Sequence, residues 1–141
     1  MSIRLPLYRS PAIMAILFLL LILGGAWTYR SGYVDALRGG FSQNAGDLDS
    51  AIQHFKAGYE KNPNAFMVAH DIACCYALSG ENEECFHWLK IALQSSYGHF
   101  AKEHAKKDAD FRSVRQTPQF QALIFDVPQS ASNQAQVTAV P

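Results

Sequence analysis

Residues 47–94 read DLDSAIQHFKAGYEKNPNAFMVAHDIACCYALSGENEECFHWLKIALQ. No part of this stretch alternates apolar and polar residues as a half-buried strand would. Leu48, Ile52, Phe55 and Tyr59 recur at three- and four-residue steps, which places them on one face of a helix. Asp47 stands at the N-cap position, and Asp49 puts a second acid in the first turn. Lys61-Asn62-Pro63 ends that helix, because the residue before a proline is pushed out of helical geometry. Asn64 is placed to cap a second helix that runs to about Ser79 and carries Phe66, Ala69, Ile72, Ala73 and Tyr76. Gly80 closes it, as glycine does just past a helix end. A third helix spans Asn82–Gln94 with Cys85, Phe86, Trp88, Leu89, Ala92 and Leu93. Turns this short force neighbouring helices to run antiparallel, so the fold class is all-α and built from helical hairpins.

Working upstream, Tyr33, Ala36, Leu37, Gly40 and Phe41 suggest one more helix, broken near Asn44-Ala45-Gly46. Gly39-Gly40 weakens it by about 1 kcal/mol per glycine relative to alanine, so a kink is allowed there. Further upstream, SPAIMAILFLLLILGGAWTY (residues 10–29) holds no charge between Arg9 and Arg30. As a helix it would be about 30 Å long, the thickness of a bilayer core. Tyr8, Trp27 and Tyr29 would lie at the interfaces, and Pro11 suits a first turn. Residues 10–30 are therefore expected to be a single transmembrane helix contacting the lipid bilayer, after a short basic tail at 1–9. The helix at Tyr33 could continue it directly. The alternative is a cleaved signal peptide, with Arg4 and Arg9 before an apolar Ala12–Leu23 and Gly24-Gly25-Ala26 as the cleavage site. The apolar run continues past Ala26 through Trp27, which favours a retained anchor. Arg4, Arg9 and the amino terminus outweigh Arg30 and Arg38, the latter pair offset by Asp35. The positive-inside rule then places the amino terminus in the cytoplasm and the domain outside, on the periplasmic side of a bacterial inner membrane.

Working downstream, HFAKEHAKK (99–107) reads as a short basic helix. Asp110, Phe111, Val114 and Arg115 lead to Pro118, which starts a final helix bearing Phe120, Leu123, Ile124 and Phe125. Residues 127–141 carry no charge and no periodicity, the composition of a disordered tail.

Gly46 and Gly80 lie 34 positions apart, each at the turn between two helices. The chain around them resembles tetratricopeptide repeats, units of about 34 residues. Leu48, Ala51, Phe55, Tyr59 and Pro63 match the second helix and end of one unit. Ile72, Ala73 and Tyr76 match the first helix of the next, and Cys85, Leu89, Ala92 and Leu93 its second. Cys85 and Gly58 stand where the family has alanine, Leu89 where it has an aromatic, and Tyr97 where a proline closes the unit. The resemblance implies units at 32–65 and 66–97, with 98–126 capping the open edge of a stack that lacks a third unit. It also implies a concave groove lined by Gln43, Asn44, Met67, His70, Cys74 and His104, and binding of another protein as the work of the domain at 32–126.

Composition narrows the functional classes. Twelve basic groups balance twelve acidic ones, and with Arg4, Arg9 and Arg30 set aside nine basic groups face the same twelve acids. No basic field exists for nucleic acid. No nucleophile motif, phosphate loop or paired carboxylate arrangement is present, so neither an enzyme nor a small-molecule substrate is expected, and no cofactor or metal. Three cysteines, Cys74, Cys75 and Cys85, are an odd number without framework spacing. The expected role is that of a membrane-anchored interaction module, as scaffold, assembly factor or accessory subunit of a membrane complex. The alternative is a copper, zinc or redox carrier using Met67, His70 and Cys74, which share a helix face at i, i+3 and i+7. Lys102, Lys106 and Lys107 form a small basic face, either solvated or turned to an acidic partner or lipid head groups.

Overall fold

Asp47 accepts a hydrogen bond from the Ser50 N–H at 3.1 Å, and that cap starts the helix on which the fold is assembled. In the computed structural model, which describes residues 11–125 but not the side chains of Thr28 and Tyr29, seven α-helices follow one another. They are α1 (Pro11–Arg30), α2 (Tyr33–Asn44), α3 (Leu48–Lys61), α4 (Phe66–Ser79), α5 (Asn82–Gln94), α6 (Gly98–Lys107) and α7 (Pro118–Phe125). A short 3-10 helix, Ala109–Arg112, precedes α7. The chain is all-α, with no strand among the described residues. The expectations for Arg4, Tyr8, Arg9, the Tyr29 side chain and the tail at 127–141 lie outside what is described.

Helices α2 and α3 pack as a pair, α4 and α5 as a second pair, and α3 lies against α4 to join them. Residues without bulk make these crossings possible. Ala51, Ala69, Ala73, Cys85 and Ala92 are fully buried, so helix backbones approach closely where they meet. Glycine does the same between α2 and α3. A Cβ on Gly39 would lie 2.5 Å from Cδ1 of Phe55, and one on Gly58 would lie 3.1 Å from the Gly32 carbonyl oxygen. α2 runs unbroken through Gly39 and Gly40 to Asn44. The break falls earlier. Gly32 takes φ 72°, a left-handed conformation, and separates α1 from α2, so the two are not one continuous helix. An ion pair of 2.6 Å between Lys61 and the buried Asp35 ties the end of α3 to the start of α2.

The segment after α5 folds back over α4. Phe111, Val114, Phe120 and Ile124 are fully buried in the same core as Ile72 and Leu89, while Phe125 stays 46% exposed. Arg115 fastens the return. It donates from Nη1 to the Lys106 carbonyl at 2.6 Å and from Nη2 to the Asp108 carbonyl.

The amino-terminal helix requires a correction. Among the described residues no helix is long and apolar enough to cross a membrane, which overturns residues 10–30 as a single-pass anchor. The inner-membrane location and the periplasmic orientation fall with it. α1 has twenty residues, but its apolar character is not sustained along them. The strongly aliphatic part is Ala12–Leu23, at the start of the helix. Gly24-Gly25-Ala26 then adds little apolar surface. The side chains from Met14 to Leu23 that have bulk, and Trp27, are exposed.

Candidate functional site

Two features meet where α2, α4 and the segment after α6 converge. The first is a groove of about 350 Å³ lined by Tyr33, Leu37, Phe41, Gln43, Asn44 and Asp71, with Phe55 at its floor. Tyr33, Leu37 and Phe41 follow one another at four-residue steps along one edge of α2, and they are 58%, 46% and 75% exposed. Gln43 is held in place by donating from Nε2 to Oδ2 of Asp110 at 3.1 Å. Asn44 is exposed at the end of α2.

The second feature is a buried polar cluster centred on α4. His70 and Cys74 are each 2% exposed, one turn apart, with Sγ of Cys74 3.6 Å from Nδ1 of His70. Cys74 Sγ also lies 3.6 Å from Oδ2 of Asp108, and Nε2 of His70 lies 3.8 Å from the same carboxylate oxygen. Asp71 places a carboxylate oxygen 3.7 Å from Nδ1 of His70. Phe111 packs edge-on against the His70 ring, with centroids 5.3 Å apart. The buried Nε2 of His70 has no hydrogen-bond partner among the described residues.

The expected groove residues therefore divide. Gln43 and Asn44 line the open groove, and Met67, 37% exposed, stands in the first turn of α4. His70 and Cys74 do not face an open groove, because the residues around Phe111 return over that face of α4 and cover it. His104 is exposed on α6, its ring centroid 6.0 Å from that of His70. Sequence reasoning does not single out Asp71, Asp108 or Asp110 as site residues. Asp108 comes 34 positions after Cys74, and no local spacing links the two. The stripe of Tyr33, Leu37 and Phe41 is visible as helical periodicity, but its exposure depends on which side of α2 meets α3.

The electrostatics of the cluster are anionic. Burial pushes the Cys74 thiol far up, and the carboxylates of Asp108, Asp110 and Asp71 push it further. Burial raises Cys75 and Cys85, each to about 12. Redox chemistry needs a thiolate with a cation beside it. Cys74 has the carboxylate of Asp108 and the imidazole of His70 beside it, each 3.6 Å from its sulfur. Burial, then the neighbouring Asp108, also raises the carboxyl of Asp110.

No family model matches the chain, and no solved structure matches it. Among curated proteins, it is similar to a chloroplastic protein of Arabidopsis thaliana, with 25% identity over 103 residues. The match takes in 71% of this chain and 30% of that protein, so the chain spans less than a third of its relative's length.

Proposed function

We propose that the chain is a tetratricopeptide-like interaction module that holds another protein, as a scaffold, assembly factor or accessory subunit of a larger complex. The repeat reading is supported by recurrence of the turn. Gly46 at φ 80° joins α2 to α3, and Gly80 at φ 84° joins α4 to α5 34 positions later. It is supported also by the small residues Ala51, Ala73 and Cys85, fully buried at the helix crossings. Residues 98–125 serve as the cap.

The observation that carries the functional reading is the exposed stripe of Tyr33, Leu37 and Phe41 beside the α2 groove. Large apolar side chains in a row, flanked by the amide groups of Gln43 and Asn44 and the carboxylate of Asp71, suit an amphipathic helix or peptide laid into the groove. Apolar anchors on the partner would meet the stripe, and polar groups would meet the amides and the acid.

The test is affinity recovery with the full chain and its Leu37→Asp/Phe41→Asp variant. Both side chains are exposed, so circular dichroism should be unchanged. Recovery of the partner should fall by about 2 kcal/mol or more, roughly thirtyfold, the scale of anchor residues at an interface. Unchanged helicity with undiminished recovery moves binding away from α2.

A further inference from the structure

The unpartnered His70 Nε2 is the starting point. A buried ring nitrogen without a hydrogen bond costs stability unless something supplies a partner. Three ligand-type atoms converge there, one each from His70, Cys74 and Asp108, and all lie within 4.8 Å of one another. We infer that His70, Cys74 and Asp108 form a binding site for a zinc ion. This does not rest on the partner-binding reading of the α2 groove.

The distances fit the ion. Zinc bonds of about 2.0–2.3 Å to nitrogen, oxygen and sulfur in a tetrahedron require ligand-to-ligand edges of about 3.4–3.6 Å. Cys74 Sγ lies 3.6 Å from Asp108 Oδ2, and His70 Nε2 lies 3.8 Å from the same oxygen; with one ring nitrogen as ligand, all three atoms lie within 4.8 Å of one another. Two edges are near the tetrahedral value, and closure around an ion needs the third, within 4.8 Å, to shorten by about 1 Å. The donor set of imidazole, thiolate and carboxylate matches a borderline-soft divalent cation and not calcium or magnesium, which take oxygen ligands.

The surroundings hold the ligands in position. Oδ1 of Asp108 accepts from the Asp110 N–H at 3.0 Å, which leaves Oδ2 turned toward His70 and Cys74. Arg115 fixes the same residue through its backbone carbonyl and so acts as a positioning residue, with its cation on the carbonyl rather than on the carboxylate. Asp71 and Asp110 add negative charge, and Phe111 walls off one side of the ring. The Asp108 side chain is 29% exposed, giving the ion a path from solvent and leaving a fourth position for water. On binding, the Cys74 thiol gives its proton to the buffer and the sulfur bonds the metal, so affinity rises with pH. The bound ion would tie α4 to the segment between α6 and α7.

The experiment uses the reduced, metal-free full chain under argon, titrated with Co²⁺ and then with Zn²⁺. One equivalent of Co²⁺ should produce a thiolate-to-cobalt charge-transfer band in the near ultraviolet, Zn²⁺ should bleach it, and Zn²⁺ should raise the melting temperature. Cys74→Ser should abolish the band, whereas Cys75→Ser and Cys85→Ser should keep it. Asp108→Asn preserves the cap and should weaken binding at least about tenfold, so the inference stays testable if Cys74→Ser fails to fold. Absence of the band, its survival in Cys74→Ser, undiminished affinity in Asp108→Asn, or a melting temperature indifferent to Zn²⁺ would each overturn the site.

Discussion

Gly39 and Gly40 are neighbours in sequence and opposites in packing. A Cβ at Gly39 would meet the Phe55 ring at 2.5 Å, and that ring is 2% exposed. A Cβ at Gly40 would meet nothing within 4 Å. Gly39→Ala should therefore destabilise by about 1–3 kcal/mol through overpacking. Gly40→Ala should stabilise by about 0.5–1 kcal/mol, because alanine loses less backbone freedom in a helix. Thermal unfolding of the two variants checks this, and shifts of the same sign would mean that α2 packs on α3 by another face. In the sequence alone, both glycines only weaken a helix. What distinguishes them is a ring brought from about fifteen residues away, which no propensity encodes. Asp47 is legible, because an N-cap is a local arrangement. Hydrogen bonding to Ser50 holds its carboxyl below the usual carboxylate range. A group with a lowered folded pKa stabilises above its unfolded value, and that contribution is lost as pH falls through the folded one. Asp47→Asn keeps the cap without the titration, so urea unfolding of the variant should show a shallower loss of stability below about pH 4. An acid limb of unchanged slope would place the cap's proton linkage elsewhere.

At the scale of elements, local signals set the ends of helices and tertiary contacts set their faces. Asp47, Gly80 and Pro118 mark boundaries that the structure keeps. The separation of α1 from α2 is not legible in the sequence. Gly32 adopts its left-handed conformation pressed on the Gly58 backbone, where a Cβ would lie 2.3 Å from the carbonyl oxygen. The burial of His70 and Cys74 is not legible either. Their spacing on α4 gives a shared face, but the chain that covers it arrives much later in the sequence, with Phe111. That returning segment depends on Arg115, which bonds two carbonyls, of Lys106 and Asp108, across the end of α6. Arg115→Met should cost about 1.5–3 kcal/mol, the range for a hydrogen bond to a charged group. Amide exchange should accelerate over residues 98–112 and stay unchanged in α3. Acceleration spread evenly through the chain would show that the return is not a separately opening unit.

At the scale of the molecule, the exposed apolar side chains are concentrated on the first two helices. On α1 they run from Met14 to Trp27, and on α2 they are Tyr33, Leu37 and Phe41. The remainder of the core is closed by the cap, with Phe111, Phe120 and Ile124 fully buried. The expectation of a single-pass anchor rests on the absence of charge between Arg9 and Arg30, but that absence fixes only where charges are missing. Among the described residues no helix is both long and apolar enough to span. With that reading removed, the central claim is that α2 presents the surface that binds another protein. The most direct measurement replaces Phe41 with a photo-reactive benzoylphenylalanine in the full chain, with Phe100, 50% exposed on α6, replaced in parallel. After irradiation in the cells that make the protein, position 41 should give a discrete crosslinked adduct to a second protein and position 100 should not. An adduct from position 100 alone, or from neither position, would contradict the claim.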